Sequence, residues 1–151
     1  MILVSSCLGG IECRYNGSHA ASEKIRKLIE EKQAVMACPE LLGGFSTPRE
    51  PAEIIGGTGE DVLNGCAKII TSSGEDVTDL YMKGAAQTLA YAKKINASAV
   101  ILKENSPSCG SNFIYNGSFS GKKIAGNGVT AALLKQAGYR VISENQLDDI
   151  L

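Results

Sequence analysis

The sequence predicts an α/β fold, a mostly parallel sheet with helices on both faces. Three observations carry this. Short apolar runs at 2–6, 33–37, 98–102 and 139–143 read as buried strands. Stretches of helical periodicity separate them, and helical crossovers between strands imply parallel neighbours. Three of the runs also hand over a cysteine, Cys7 and Cys38 at once and Cys109 after a short turn. Ligands of open α/β sheets sit beyond the carboxyl ends of strands, so three such strands side by side bring the three thiols to one edge.

The elements follow in order. After Cys7, the stretch Leu8-Gly9-Gly10-Ile11-Glu12-Cys13-Arg14-Tyr15-Asn16-Gly17-Ser18 reads as an irregular loop with two glycine-bearing turns. A helix is expected over about 20–32, with Ile25, Leu28 and Ile29 on one face. Residues 38 to about 60 show no period and carry prolines and glycines, so an ordered long loop is expected, of the kind that serves function. A strand is predicted around 67–71, with a turn at Ser72-Ser73-Gly74. Thr78 or Asp79 then caps a helix whose broad face includes Leu80, Tyr81, Gly84, Ala85, Thr88 and Ala92. After strand 98–102, Pro107 and Gly110 flank Ser108-Cys109 and present the thiol on a turn. Asn116-Gly117 between alternating residues predicts a tight hairpin. Gly126-Asn127-Gly128 opens the last long helix, with Val129, Ala132 and Leu133 inward and Gly138 as its stop. A fourth strand and a short helix or tail complete the chain.

At 151 residues the chain is expected to form a single domain, 1–151, with a real core. Apolar residues at 44% and charged residues at 21% fit a globular protein. A net charge of −1 gives no global basic field for nucleic acid, and an aromatic content of 5% without tryptophan argues against a base-stacking platform. Met1-Ile-Leu-Val lacks the basic flank and the length of a signal peptide, and no run approaches a bilayer span. A cytoplasmic setting without membrane or nucleic-acid partners is expected. There the five cysteines, at 7, 13, 38, 66 and 109, are not a disulfide framework.

The thiols have few other readings. Structural zinc takes paired ligands at short spacing, which no pair here matches. A cysteine nucleophile needs a nearby base, and His19 is the only histidine, in a loop of its own. A four-iron cluster takes thiolates at its corners; three of them leave one iron with an open position. Spacing alone does not separate this from plain burial, the commonest fate of a free cysteine. Cys66 reads as core.

Four motifs occur in order along the chain: Ser5-Ser6-Cys7-Leu8-Gly9-Gly10 with Cys13-Arg14-Tyr15-Asn16-Gly17; Cys38-Pro39-Glu40 with Gly43-Gly44 and Thr47-Pro48-Arg49; Lys103-Glu104-Asn105-Ser106-Pro107-Ser108-Cys109-Gly110; and Gly126-Asn127-Gly128-Val129-Thr130-Ala131-Ala132-Leu133. Together they resemble the thiouracil desulfidase family, over nearly the whole chain. The resemblance implies a 4Fe-4S cluster held by Cys7, Cys38 and Cys109, with one iron not bound by protein. It implies removal of sulfur from a small thiolated pyrimidine, giving uracil and hydrogen sulfide. It also assigns catalytic roles to Glu40 and Ser108, whose bland alternatives are a solvated loop carboxylate and a turn cap. Arg49 is a candidate substrate contact, or a partner of Glu53. Asn127 and Thr130, at the start of the last long helix, are further substrate-binding candidates. An iron–sulfur or thiol-based sensor without turnover, or a nucleotide-binding module without a cluster, are the competing readings.

Overall fold

The computed structural model describes residues 1–9, 23–45 and 49–149. In chain order the elements are β1 (Ile2–Ser5), α1 (Glu23–Glu30), β2 (Ala34–Ala37), α2 (Pro39–Leu42), β3 (Ala52–Ile55), α3 (Gly59–Leu63), β4 (Lys68–Thr71), α4 (Thr78–Lys94), β5 (Ala99–Leu102), β6 (Phe113–Tyr115), β7 (Lys123–Ala125), α5 (Val129–Gln136) and β8 (Val141–Ser143). Four strands form a sheet in the order β2-β1-β5-β8, every pair parallel. Ile2 lies opposite both Ala34 and Ala99, so the three strands that precede cysteines are adjacent and in step.

Alternation along these strands serves both faces. Val4, Ile101 and Ile142 pack with Ile25 and Leu28 of α1 and with Leu147. Leu3, Val100, Leu102 and Val141 pack on the other face with Ala92 of α4 and with Ala131 and Leu134 of α5. The predicted two-sided parallel sheet is therefore the observed one. A second core lies beyond it, where β3 pairs antiparallel with β4, and Ile54, Val62, Ile69, Tyr81, Ile114 and Val129 meet.

Several expectations fail for identifiable reasons. The segment 38–60 is not a plain loop: it contains α2, β3 and the start of α3. α3 begins at a reciprocal cap, in which Asp61 Oδ2 accepts the Thr58 N–H at 2.9 Å. The N-cap of α4 is Val77 rather than Thr78 or Asp79; Asp76 Oδ1 instead accepts the N–H and hydroxyl of Thr78, at 2.9 and 2.6 Å. Leu80, expected inward, is exposed. Asn116-Gly117 is not a two-residue turn. The reversal between β6 and β7 spans 116–122, closed by Asn116 N–H donating to Lys122 O at 2.9 Å. Gly117 is needed for another purpose: its φ is 90°, and a Cβ there would strike the carbonyl oxygen of Ile54. Cys66 is exposed rather than core. It follows α3 in a turn where its N–H bonds to Asp61 O at 2.8 Å and its side chain points outward.

Candidate active site

Beyond the carboxyl ends of β1, β2 and β5 lies a cavity of about 380 Å3, bordered by all three of Cys7, Cys38 and Cys109. Each thiol is placed by a different local device. Cys7 sits in a short 3-10 turn, Ser6–Gly9, that continues β1. Cys38 is the N-cap of α2, where Pro39 at the first helical position supplies a helical φ and lacks the N–H that would go unbonded there. α2 is seated on α4 by glycine: a Cβ on Gly84 would fall on the carbonyl oxygen of Pro39. Cys109 sits on a turn made by Ser106, whose Oγ accepts the N–H groups of Ser108 and Cys109 at 3.0 and 2.7 Å.

The Cys109 turn is fixed at two further points. The carbonyls of Pro107, Ser108 and Gly110 accept N–H groups from the start of α5, including Thr130 N to Ser108 O at 2.9 Å. This helix start is thus occupied by the cysteine turn. Glu104, buried, accepts N–H bonds from Ser111, Asn112 and Phe113 on Oε1 at 2.8, 3.0 and 3.0 Å, and the Asn112 amide on Oε2 at 3.0 Å. Burial pushes the Glu104 carboxyl up. The bonds from Asn112, Phe113 and Ser111 outweigh it and hold the group below the usual carboxylate range. A lowered folded value means stability that is complete above the unfolded value near about pH 4.3 and is lost as pH falls through the folded one. Glu104→Ala is expected to cost about 3 kcal/mol at neutral pH and to flatten the acid limb of stability, measured by urea denaturation from pH 7 to pH 3.

Glu40, in the first turn of α2, also borders the cavity. Arg49 donates to its Oε2 through Nη2 at 2.5 Å and Nε at 3.1 Å, and the Tyr81 hydroxyl donates to the same oxygen at 3.3 Å. The pair is nearly dry, with side chains 7% exposed for Arg49 and 13% for Glu40. Burial lowers the Arg49 pKa, but the Glu40 charge and hydrogen bond raise it above its ordinary value. Burial chiefly, then the Glu40 charge, pushes the Tyr81 phenol up, so it remains a donor. Phe45 stacks tilted on Tyr81, with centroids 4.8 Å apart, and lies under the Arg49 guanidinium. All donors therefore converge on Oε2, and among the described residues Oε1 has none. Arg49 pairs with Glu40 and not Glu53, whose Oε1 accepts the N–H of Gly117 at 2.9 Å.

Ser108 is buried behind Cys109 and does not border the cavity; its hydroxyl shares a 2.7 Å bond with that of Thr130. Burial pushes the Cys109 thiol up, with the Glu40 and Cys38 charges adding to it, while the hydroxyls of Ser108 and Ser5 oppose this. Asn127 lies farther out: its amide donates to Glu60 Oε1 at 2.6 Å and accepts Lys135 Nζ at 2.6 Å. So Cys7, Cys38, Cys109, Glu40 and Arg49 are brought together, and Ser108, Thr130 and Asn127 stand behind the cysteine turn. Cys13 and His19 lie outside the described residues.

The family model for 2-thiouracil desulfurase matches residues 2–146. The chain belongs to the 2-thiouracil desulfurase family. It is therefore an enzyme of the desulfidase class, as the four sequence motifs imply. It is 89% identical, over 151 residues and the whole of both chains, to the uncharacterized protein YbbK of Bacillus subtilis (strain 168). Among solved structures it is similar to a [4Fe-4S]-dependent thiouracil desulfidase, TudS. That match has 42% identity and a TM-score of 0.87, and covers 99% of this chain and 93% of that one. No described helix is long and apolar enough to cross a membrane.

The donor set fits an iron–sulfur cluster. Three thiols, soft ligands, border one cavity from three separate loops. Among the described residues no three metal-binding side chains gather as closely as the ligands of a single ion do. A multi-iron cluster takes its thiolates at corners, and so from farther apart.

Sequence reasoning missed three participants. In the sequence Tyr81 stands only as a helix-face residue, although a tyrosine on a buried stripe needs a partner for its hydroxyl. Glu104 and Lys103 stood in the cysteine motif without a role. Lys103 Nζ pairs with Glu144 at 2.8 Å, and its N–H donates to Ser5 Oγ at 3.0 Å, tying β5 to β1 at the cavity floor.

Proposed function

We propose that this protein removes sulfur from a small thiolated uracil at a 4Fe-4S cluster held by Cys7, Cys38 and Cys109, with one iron left without a protein ligand. The observation that carries the reading is that these three thiols, far apart in sequence, border one cavity at the edge of adjacent parallel strands. The overall reaction is redox-neutral: thiouracil and water give uracil and hydrogen sulfide. When bound, the cluster supplies a Lewis-acidic iron with affinity for the thiocarbonyl sulfur.

The protein's own part is proton handling and positioning. Glu40 takes a proton from the attacking water and returns one to the departing sulfur. Arg49 and Tyr81 hold Oε2, which fixes the carboxylate and turns Oε1 to the reactants. Ser108 acts through Cys109, its hydroxyl beside that thiol and anchored on Thr130. Pro39, Pro107 and Tyr115 limit water around the reacting centre.

The test is anaerobic reconstitution with iron and sulfide, followed by incubation with 2-thiouracil or 4-thiouracil. Release of hydrogen sulfide and uracil in equal amounts supports the reading. A protein that loads iron and sulfide but releases no sulfide from either compound is a cluster-bearing sensor instead.

A further inference from the structure

We propose that Asn105 and Phe119 form the base-recognition face of this cavity, Asn105 reading the N3–H and adjoining carbonyl of the pyrimidine and Phe119 stacking on its ring. The proposal rests on the desulfidase reading and extends it to the side chains that select the substrate.

Backbone strain points to these two residues. Four non-glycine residues among those described have a left-handed φ: Lys32 at 58°, Asn96 at 52°, Asn105 at 78° and Phe119 at 54°. Lys32 and Asn96 need no special account. Each is separated by one residue from the end of a helix, where the next N–H returns to a carbonyl of the last turn: Gln33 N to Leu28 O at 2.9 Å and Ala97 N to Ala92 O at 3.0 Å. Asn105 and Phe119 follow no helix, and both border the cavity. Strain of this kind collects at ligand clamps, where the surroundings hold the backbone in place. Asn105 is held by a bridge to Ile114. Phe119 is held through the buried Glu53, whose Oε1 accepts its N–H at 3.3 Å as well as that of Gly117. Phenylalanine is a poor choice for a left-handed position, whereas asparagine tolerates it.

The chemistry of the two side chains agrees. The Asn105 amide is half-buried at the cavity wall and makes no hydrogen bond among the described residues. An amide presents one acceptor beside one donor. Uracil carrying sulfur at either C2 or C4 keeps N3–H next to one remaining carbonyl, the complementary pair. Phe119, an apolar ring 39% exposed to solvent, is placed to cover a flat heteroaromatic ring. The cations at this wall have other duties, Lys103 with Glu144 and Arg49 with Glu40.

The test uses anaerobically loaded protein and calorimetric binding of uracil and N3-methyluracil, with KM and kcat for 2-thiouracil alongside. Asn105→Gly removes the amide and suits the left-handed backbone, and Phe119→Asn removes the ring on the same terms. Wild type is expected to prefer uracil over its N3-methyl derivative by about tenfold or more. Asn105→Gly abolishes that preference and raises KM by a similar factor with kcat little changed. Phe119→Asn weakens both ligands by about tenfold. No preference in the wild type, no detectable uracil binding, or an undiminished preference in Asn105→Gly overturns the assignment. Binding with the expected preference but without sulfide release removes the desulfidase reading and leaves recognition standing.

Discussion

Alanine at any one of Cys7, Cys38 or Cys109 is expected to lose the cluster and, with it, all measurable sulfide release from thiouracil. The reason is geometric. Each thiol comes from a different loop, so two remaining ligands cannot close the site, and no neighbouring cysteine among the described residues borders the cavity. Cys66 is exposed on the turn after α3 and does not border the cavity, and Cys66→Ala is expected to load and turn over as wild type does. Serine variants at the three positions keep the side-chain volume, so a folded chain without iron separates lost ligation from lost folding. Iron and acid-labile sulfide per chain, measured after anaerobic reconstitution, check this. A full cluster in any one of the three alanine variants would remove that cysteine from the ligand set.

Glu40→Gln is expected to retain the cluster and to lower kcat by about 10²–10⁴-fold, the usual worth of a positioned general acid–base. Glutamine keeps an oxygen that accepts from Arg49 and Tyr81, so the local geometry survives, but it neither takes nor returns a proton. The substitution also leaves the Arg49 guanidinium nearly dry without its counter-charge, and a loss of about 3 kcal/mol of stability is expected with it. Activity is therefore to be expressed per loaded, folded chain. Turnover within a factor of a few of wild type on that basis would make Glu40 a structural partner of Arg49 rather than a proton carrier.

What the sequence disclosed, and what it concealed, has physical causes. The four parallel strands were legible because strands buried on both faces are written as uninterrupted apolar runs, and the cysteines punctuate three of them. Their spatial order was not legible, since nothing local says that β1 lies between β2 and β5. β3 was hidden because its four residues include Glu53, a carboxylate that looks like a surface residue. Glu53 is buried because it accepts the backbone N–H groups of Gly117 and Phe119. The same contact explains the misread hairpin: Asn116-Gly117 has turn chemistry, but the glycine lies against the carbonyl of Ile54. The Thr58–Asp61 capping signature was present and was lost among prolines and glycines. The ion pair of Arg49 with Glu40 is not legible in the sequence, because Glu53 is nearer along the chain while Glu40 is brought near by α2. The start of α5 looked open to a ligand, and only the fold reveals that the Cys109 turn fills it.

The most direct test of the central claim is Mössbauer spectroscopy of the 57Fe-reconstituted protein, recorded under anaerobic conditions before and after addition of 2-thiouracil. If three cysteines hold a four-iron cluster with one corner left open, about a quarter of the iron signal is expected to shift on addition of the compound while the rest stays in place. A spectrum that does not change, or iron that never assembles into a cluster on a chain with all three thiols intact, would contradict it.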